Sequence, residues 1–159
     1  KIKEFGKPSA MDLIRDGKRS NAPFYGRLNM FFYDPKWKKK LPYYDTFPLV
    51  LPIEKYPDGF LGINMHYLPI PLRIRLLDSL VDFSNNTKFD ESTKLIVNYS
   101  KLKNVRLIKP TLHRYLAGHT KSQFRRIDAD EFTIATLLPV QRFKKASETS
   151  VWADSRKMI

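Results

Sequence analysis

The stretch TFPLVLPI, residues 46–53, alternates large apolar residues with prolines, a period of two that is typical of a β-strand. One parity is apolar and the other is rich in proline: Phe47, Leu49, Leu51 and Ile53 against Pro48, Val50 and Pro52. Both prolines lack an amide hydrogen on the same edge of the strand. Because a proline cannot donate to a neighbouring strand, we expect this strand at the rim of a sheet or beside a loop.

A turn follows this strand, and the same period returns after it. Pro57, Asp58 and Gly59 are residues that favour a turn, and the alternation in residues 60–68 predicts a second strand. We therefore predict an antiparallel hairpin over residues 47–68. Two more strands are predicted from aromatic and β-branched content, at residues 26–34 and 123–127.

Apolar residues spaced three and four apart replace the strand pattern after residue 69 and predict a helix. Pro71 suits its first turn, and its apolar face consists of Leu72, Leu76, Leu77, Leu80 and Phe83. Capping residues and similar spacing predict further short helices, at residues 9–17, 90–102, 109–118 and 140–147. Residues 128–138 fit either a helix or a strand, since a capping-box spacing precedes β-branched residues.

These elements together predict an α+β fold, with a small antiparallel sheet or an SH3-like partial barrel and several short helices. A chain of 159 residues is long enough for one domain with its own core. We expect this domain over residues 26–145, after an extended basic arm at residues 1–25 and before a C-terminal tail at residues 146–159.

Positive charge is concentrated at the two ends of the chain. The formal net charge is +13, of which residues 1–40 carry +7, residues 41–100 carry −2 and residues 101–159 carry +8. This asymmetry indicates a polyanionic partner, either nucleic acid or an acidic protein surface.

The composition excludes several classes of site. The chain has no cysteine, which rules out disulfides and thiolate chemistry. No apolar segment is long enough to span a membrane, and residues 1–17 lack the apolar stretch of a signal peptide, so we expect a soluble protein made inside the cell with no membrane partner.

Residues that could carry catalysis are few. His113 and His119 lack the spacing of a zinc pair, and His66 suits a hydrogen-bonded structural role in its strand. Asp78 and Asp82 lie four residues apart and could hold magnesium in a nuclease, but a solvated helix face is the better interpretation. We expect no enzyme activity, no metal or other cofactor and no small-molecule substrate.

Two clusters mix cations with aromatic rings, the combination that neutralises phosphates and stacks bases. The first surrounds Trp37 with lysines, and the second spans residues 113–126. Tyr115 and Phe124 are expected in the core. The candidate polyanion-binding residues are Lys36, Trp37, Lys38, Lys39, Lys40, Arg114, Lys121, Arg125 and Arg126.

Several longer motifs resemble those of a family of small virion and morphogenesis proteins from tailed bacteriophages with contractile tails. The motifs lie in residues 29–53, 58–80 and 137–157, and the most distinctive are YDPK at 33–36, LPYYD at 41–45, FPLV at 47–50, GFLGIN at 59–64 and HYLP at 66–69. The resemblance implies a component of the phage particle or of its assembly. It carries no catalytic signature.

Two functions remain open at this point. The first is a structural subunit of the tail, baseplate or neck, present in the virion in several symmetric copies and docked on other virion subunits through its basic arms. The alternative is a DNA-binding protein that acts at genome ends or in DNA packaging.

Overall fold

The computed structural model describes residues 17–84, 106–127 and 141–159, which form two antiparallel sheets and two α-helices. The larger sheet has the strand order β1-β7-β2-β4-β5-β6. Its strands are β1 (Arg19–Ser20), β2 (Leu28–Met30), β4 (Leu49–Tyr56), β5 (Gly59–Asn64), β6 (Leu112–Leu116) and β7 (Phe124–Ile127). The smaller sheet pairs β3 (Tyr44–Asp45) with β8 (Phe143–Lys144).

The helices are α1 (Ile70–Ser84) and α2 (Glu148–Met158), and three short 3₁₀ turns span Met65–Tyr67, Arg106–Thr111 and Ala117–His119. The predicted α+β class and antiparallel sheet are therefore confirmed. Among the described strands the large sheet is open between β1 and β6, so it is not a closed barrel.

The predicted hairpin and the predicted helix after it are both confirmed. Strands β4 and β5 pair antiparallel from Tyr56 opposite Gly59 to Val50 opposite Asn64. Helix α1 begins at Ile70 with Pro71 in its first turn. Its buried leucines pack on one sheet face against a cluster that includes Leu28, Met30, Leu49, Leu51, Ile63, Met65 and Ile127.

Aromatic side chains fill the other face of the sheet. Phe31 lies at the centre, with its ring 4.7 Å from that of Phe124 and 5.5 Å from that of Tyr115. Phe124 and Tyr115 are both buried, as expected for core residues. The rest of this cluster consists of Tyr33, Val50 and Phe60.

Of the two places expected for the proline-rich strand, the rim of the sheet is wrong. Strand β4 lies between β2 and β5, and both faces of its first half, residues 49–52, are buried. Strand β2 pairs with only Leu49 and Val50, so Pro52 lies beyond the end of that ladder. A bulge between Pro52 and Glu54 also interrupts the register with β5. A central strand accommodates proline here because no neighbouring carbonyl needs its missing N–H.

Two predicted helices are strands in the structure. Residues 109–118 contain β6, which pairs with β5 from Gly59 opposite Leu116 to Ile63 opposite Leu112. Residues 140–147 contain β8, and the helix begins later, with Ser147 as its N-cap. In both places a non-local strand partner overrides the local helical pattern.

The remaining strand predictions are confirmed in shortened form, since residues 26–34 contain β2 and residues 123–127 contain β7. The helices predicted at residues 9–17 and 90–102, and the ambiguous segment 128–138, lie outside the described residues, apart from Gly17.

A buried carboxylate connects four segments of this fold. Asp45 Oδ2 accepts hydrogen bonds from His66 Nδ1 at 2.7 Å and from Asn64 Nδ2 at 3.0 Å. Asp45 Oδ1 accepts the amides of Phe47 at 3.0 Å and Arg142 at 3.1 Å. Burial opposes ionisation, but the His66 ring and these hydrogen bonds outweigh burial and hold the pKa of Asp45 below its usual value.

Arg73 of α1 extends this polar network to helix α2. Its guanidinium is fully buried, donates from Nε to the Leu68 carbonyl at 2.6 Å and from Nη2 to Gln141 Oε1 at 3.0 Å. Burial lowers the pKa of Arg73 to about 10, so the side chain stays charged at neutral pH. The guanidinium of Arg73 lies over the ring of Trp152. Trp152 in turn donates to the His66 carbonyl at 2.9 Å.

We predict that Asp45→Asn destabilises the protein by about 2–4 kcal/mol. The new amide would place a donor opposite the donors of Asn64 and His66. Urea denaturation of the variant against Asp78→Asn, an exposed carboxylate on α1, measures the effect, and the control should change stability by less than about 0.5 kcal/mol. Equal stabilities for the two variants would contradict the structural role assigned to Asp45.

Candidate nucleic-acid interface

The lysine-rich segment forms a compact turn that is fixed at both ends. The amides of Lys40 and Leu41 donate to the Trp37 carbonyl at 2.8 and 3.0 Å. Lys145 reaches the turn from the C-terminal segment and donates to the carbonyls of Lys38 and Leu41. The five residues 36–40, which we call the basic turn, are therefore held in place while all five side chains point to solvent.

The start of the basic turn is attached to the segment after β6. The Asp34 amide donates to the His119 carbonyl at 3.0 Å, and His119 Nδ1 donates back to the Asp34 carbonyl at 3.0 Å. Tyr33 forms an antiparallel bridge with Thr120. These contacts place the basic turn beside β6, although the two are far apart in the sequence.

A cavity of about 610 Å³ lies between the basic turn and β6. This volume is in the range of sites that take small ligands. Seven rings contribute to its wall: Tyr33, Trp37, Tyr43, Tyr44, Tyr67, His113 and Tyr115. Three cations lie at its border, namely Lys36, Lys109 and Arg114. Ser155 and Met158 of α2 complete the lining.

The rings stack against one another and are fixed by the core. His113 and Tyr67 have centroids 4.2 Å apart at an interplanar angle of 31°, and Tyr43 lies 6.2 Å from Tyr67. Phe60 of the buried aromatic cluster stacks on Tyr115 at 5.3 Å. Because these rings are already fixed, little side-chain entropy is lost when a ligand stacks on them.

Burial lowers the pKa of His113 to about 4, because the surrounding protein disfavours the imidazolium. The Pro110 carbonyl, which accepts from His113 Nε2 at 3.2 Å, and the Asp45 carboxylate oppose this shift without reversing it. Burial also raises the pKa of Tyr67 and of Tyr115. The inner wall of the cavity is therefore uncharged at pH 7, apart from the buried Asp45 carboxylate.

The charges lie at the mouth. The ammonium groups of Lys36 and Lys40 lie 5.0 and 5.3 Å from the centroid of the Trp37 ring, which is 56% exposed. Arg114 Nη2 pairs with Asp58 Oδ1 at 2.6 Å in an exposed ion pair. Such a pair contributes little stability, and a phosphate can compete with the carboxylate for the guanidinium.

The structure brings together some of the residues that the sequence singled out. Lys36, Trp37 and Arg114 line the cavity, and Lys38, Lys39 and Lys40 share the basic turn. Lys121 is exposed and its amide donates to the Phe32 carbonyl. Arg125 and Arg126 lie on β7, which is separated from β6 by β2, β4 and β5. The two predicted clusters are therefore only partly adjacent.

The sequence placed Trp37 in the first cluster and His113 and Tyr115 in the second, but it assigned neither Tyr33 nor Tyr67 to a binding surface. Tyr43 and Tyr44 directly follow the lysines of the first cluster, in the segment expected to contact a partner. The signal that was available is the alternation of His113 and Tyr115 in LHRYL, which assigns both rings to one side of a strand. His66 has the structural role that was expected.

Among residues 17–84, 106–127 and 141–159, no group of three or more His, Asp or Glu side chains could hold a metal ion. No helix in this part of the chain is long and apolar enough to cross a membrane.

Residues 7–155 match the model of a protein family described as phage T4 terminal DNA protecting protein. The chain belongs to this family. No curated protein and no solved structure matches the chain. The expected relation to tailed bacteriophages is thus confirmed at the level of a phage protein family.

Membership of the terminal DNA protecting family corrects the leading expectation from the sequence. A structural subunit of the tail, baseplate or neck does not fit a family described by the protection of terminal DNA. The description agrees instead with the alternative, a protein that acts at genome ends.

We predict that His113 makes stability depend on pH between about 4 and 6.5. In the unfolded chain a histidine has a pKa of about 6.5, so in this window the unfolded state binds more protons than the folded state. The free energy of unfolding should therefore not depend on this group above pH 6.5. It should fall as the pH drops toward 4, by at most about 3 kcal/mol.

Urea denaturation at pH 7.0, 5.5 and 4.5 measures this loss. His113→Gln removes the titrating group, and its stability should change less over this window than that of the original chain. Parallel pH curves for the two proteins would contradict the assignment.

Proposed function

We propose that this protein binds the ends of duplex DNA and shields them from exonucleases. The observation that carries the proposal is the meeting of the basic turn with Arg114 of β6 at one ring-lined cavity. Membership of a family described by terminal DNA protection supports DNA ends as the target.

The chemistry of this surface accounts for a preference for ends. Lysines at the mouth neutralise phosphates and release counterions, which favours any DNA. The rings add a contact that only some DNA can use, because base faces inside a duplex are covered by their neighbours. A duplex end exposes the face of its last base pair, so stacking on Trp37, the exposed ring at the mouth, favours ends.

In this proposal the protein acts by occupying the end, as a binding protein and not as an enzyme. Its partner is the phage genome, and its place of action is the virion or the host cytoplasm, wherever genome ends are exposed. Other virion subunits, expected as partners from the sequence, have no support from the comparison.

A competition experiment tests the proposal. Binding of the protein to labelled blunt-ended duplex is followed by fluorescence anisotropy at about 50 and 200 mM salt. Unlabelled linear duplex should displace the label at concentrations at which a closed circle of the same sequence does not. Equal competition by linear and circular DNA would overturn end binding, and no binding at the lower salt would overturn DNA binding altogether.

Protection from degradation tests the second half of the proposal. A linear duplex bound by the protein should resist a processive exonuclease. Cleavage of the same complex by a restriction endonuclease at a central site should proceed at the rate for free DNA. Loss of both activities would indicate coating of the whole duplex instead of protection of its ends.

We predict that Lys39→Ala with Lys40→Ala weakens end binding and lowers the salt dependence by up to about two phosphate contacts. Lys18→Ala with Arg75→Ala is the matched control. It removes the same charge from exposed positions, one beside β1 and one on α1, and neither residue lines the cavity. Equal losses in the two double variants would show that net charge alone determines binding.

A further inference from the structure

We propose that the cavity holds a single nucleotide at the end of a DNA strand, unstacked from the duplex, with the outer edge of β6 hydrogen-bonded to its base. This inference rests on the proposed function and specifies what the site binds. Four features of the cavity carry it: its walls, the backbone of β6, its mouth and its size.

The walls offer a surface on which a base can stack. His113 stacks on Tyr67, Tyr43 lies next to Tyr67, and His113 is neutral at pH 7. Every base has a π-face, so stacking on such rings is tolerant of sequence. A site that must accept any genome end needs this tolerance.

The hydrogen-bond pattern of β6 directs part of its backbone into the cavity. The Ala117 amide donates to the Asp58 carbonyl at 2.9 Å, whereas the Leu116 amide turns away from β5 and donates to Tyr33 Oη at 2.8 Å. Antiparallel strands alternate between these two kinds of pair. Arg114, two residues before Leu116, therefore also points its amide and carbonyl away from β5.

Tyr33, Arg114 and Leu116 all line the cavity, so this outer edge of β6 faces its interior. In the described part of the chain, β5 is the one strand that pairs with β6. The edge presents a donor and an acceptor on a strand that is fixed by its ladder with β5. An unpaired base presents complementary groups on its Watson–Crick edge, and burial of those groups requires such partners.

The mouth and the size favour a nucleotide over other ligands. Lys36, Lys109 and Arg114 surround the opening and suit a phosphate. A volume of about 610 Å³ suits a ligand of the size of one nucleotide. In the proposed arrangement the terminal base leaves the stack and enters the cavity, while the rest of the duplex stays at the mouth. Unstacking costs least where the base is already unpaired.

Hairpin DNA with one open end tests the inference. Binding is measured to three hairpins of equal length, which carry a matched terminal pair, a mismatched terminal pair, or a mismatch five pairs from the end. We expect the protein to bind the hairpin with the terminal mismatch at least tenfold more tightly than the hairpin with the matched end. The reason is that no terminal base pair has to be broken. The internal mismatch should give no gain.

Tyr43→Ala removes one stacking ring and should abolish the preference for the terminal mismatch, whereas Tyr43→Phe keeps the ring and should retain it. Equal affinity for matched and mismatched ends, with linear DNA still preferred over circles, would overturn this inference and leave end binding intact. No preference for ends over circles would overturn both. A preference that persists in Tyr43→Ala would place the unpaired base outside the cavity.

Discussion

The buried carboxylate of Asp45 is the constraint on which the described structure depends most. Its two oxygens accept four hydrogen bonds, from Asn64 at the end of β5, His66 in the following turn, Phe47 before β4 and Arg142 before β8. A buried carboxylate is tolerated only when its acceptors are satisfied in this way. Satisfying them fixes four segments relative to one another, one of which lies 97 residues away in the chain.

The same network also positions the wall of the cavity. Tyr43 and Tyr44 lie beside Asp45, and Tyr67 follows His66, so the bonds that fix the carboxylate fix the backbone of these rings. Arg73 and Trp152 extend the network to α2, whose last residues border the cavity. Stability and binding therefore share one polar core. The ring wall is preorganised before a ligand arrives, which lowers the entropy cost of binding.

The sequence predicts those elements that local periodicity determines. The hairpin of β4 and β5 and helix α1 follow from periods of two and of about 3.6, together with turn and proline positions. Strand β6 was missed because Leu112 and Leu116 lie four residues apart, which is also a helical spacing. Only pairing with β5 decides between the two structures, and no local pattern contains that information.

The candidate site was predictable in composition but not in geometry. Lysines around Trp37 and the arginine at position 114 stood out as cations near rings. Their meeting depends on the contacts of Asp34 with His119, and no pattern in the sequence indicates that pairing. The role of Asp45 was not predictable for the same reason. Its partner His66 lies 21 residues away, and a single long-range pair produces no repeating pattern in the sequence. The distant position of β7 likewise separates Arg125 from the basic turn.

A photo-crosslink tests most directly whether the cavity is the place where a DNA end is held. Trp37 at its mouth is replaced by p-benzoylphenylalanine, which keeps an aromatic side chain at an exposed position. The variant is irradiated with a long duplex, and the cross-linked nucleotide is mapped. If the cavity holds a DNA end, the cross-links are confined to the last one or two nucleotides of a strand. Cross-links spread evenly along the duplex, or bound DNA that gives none, would contradict it.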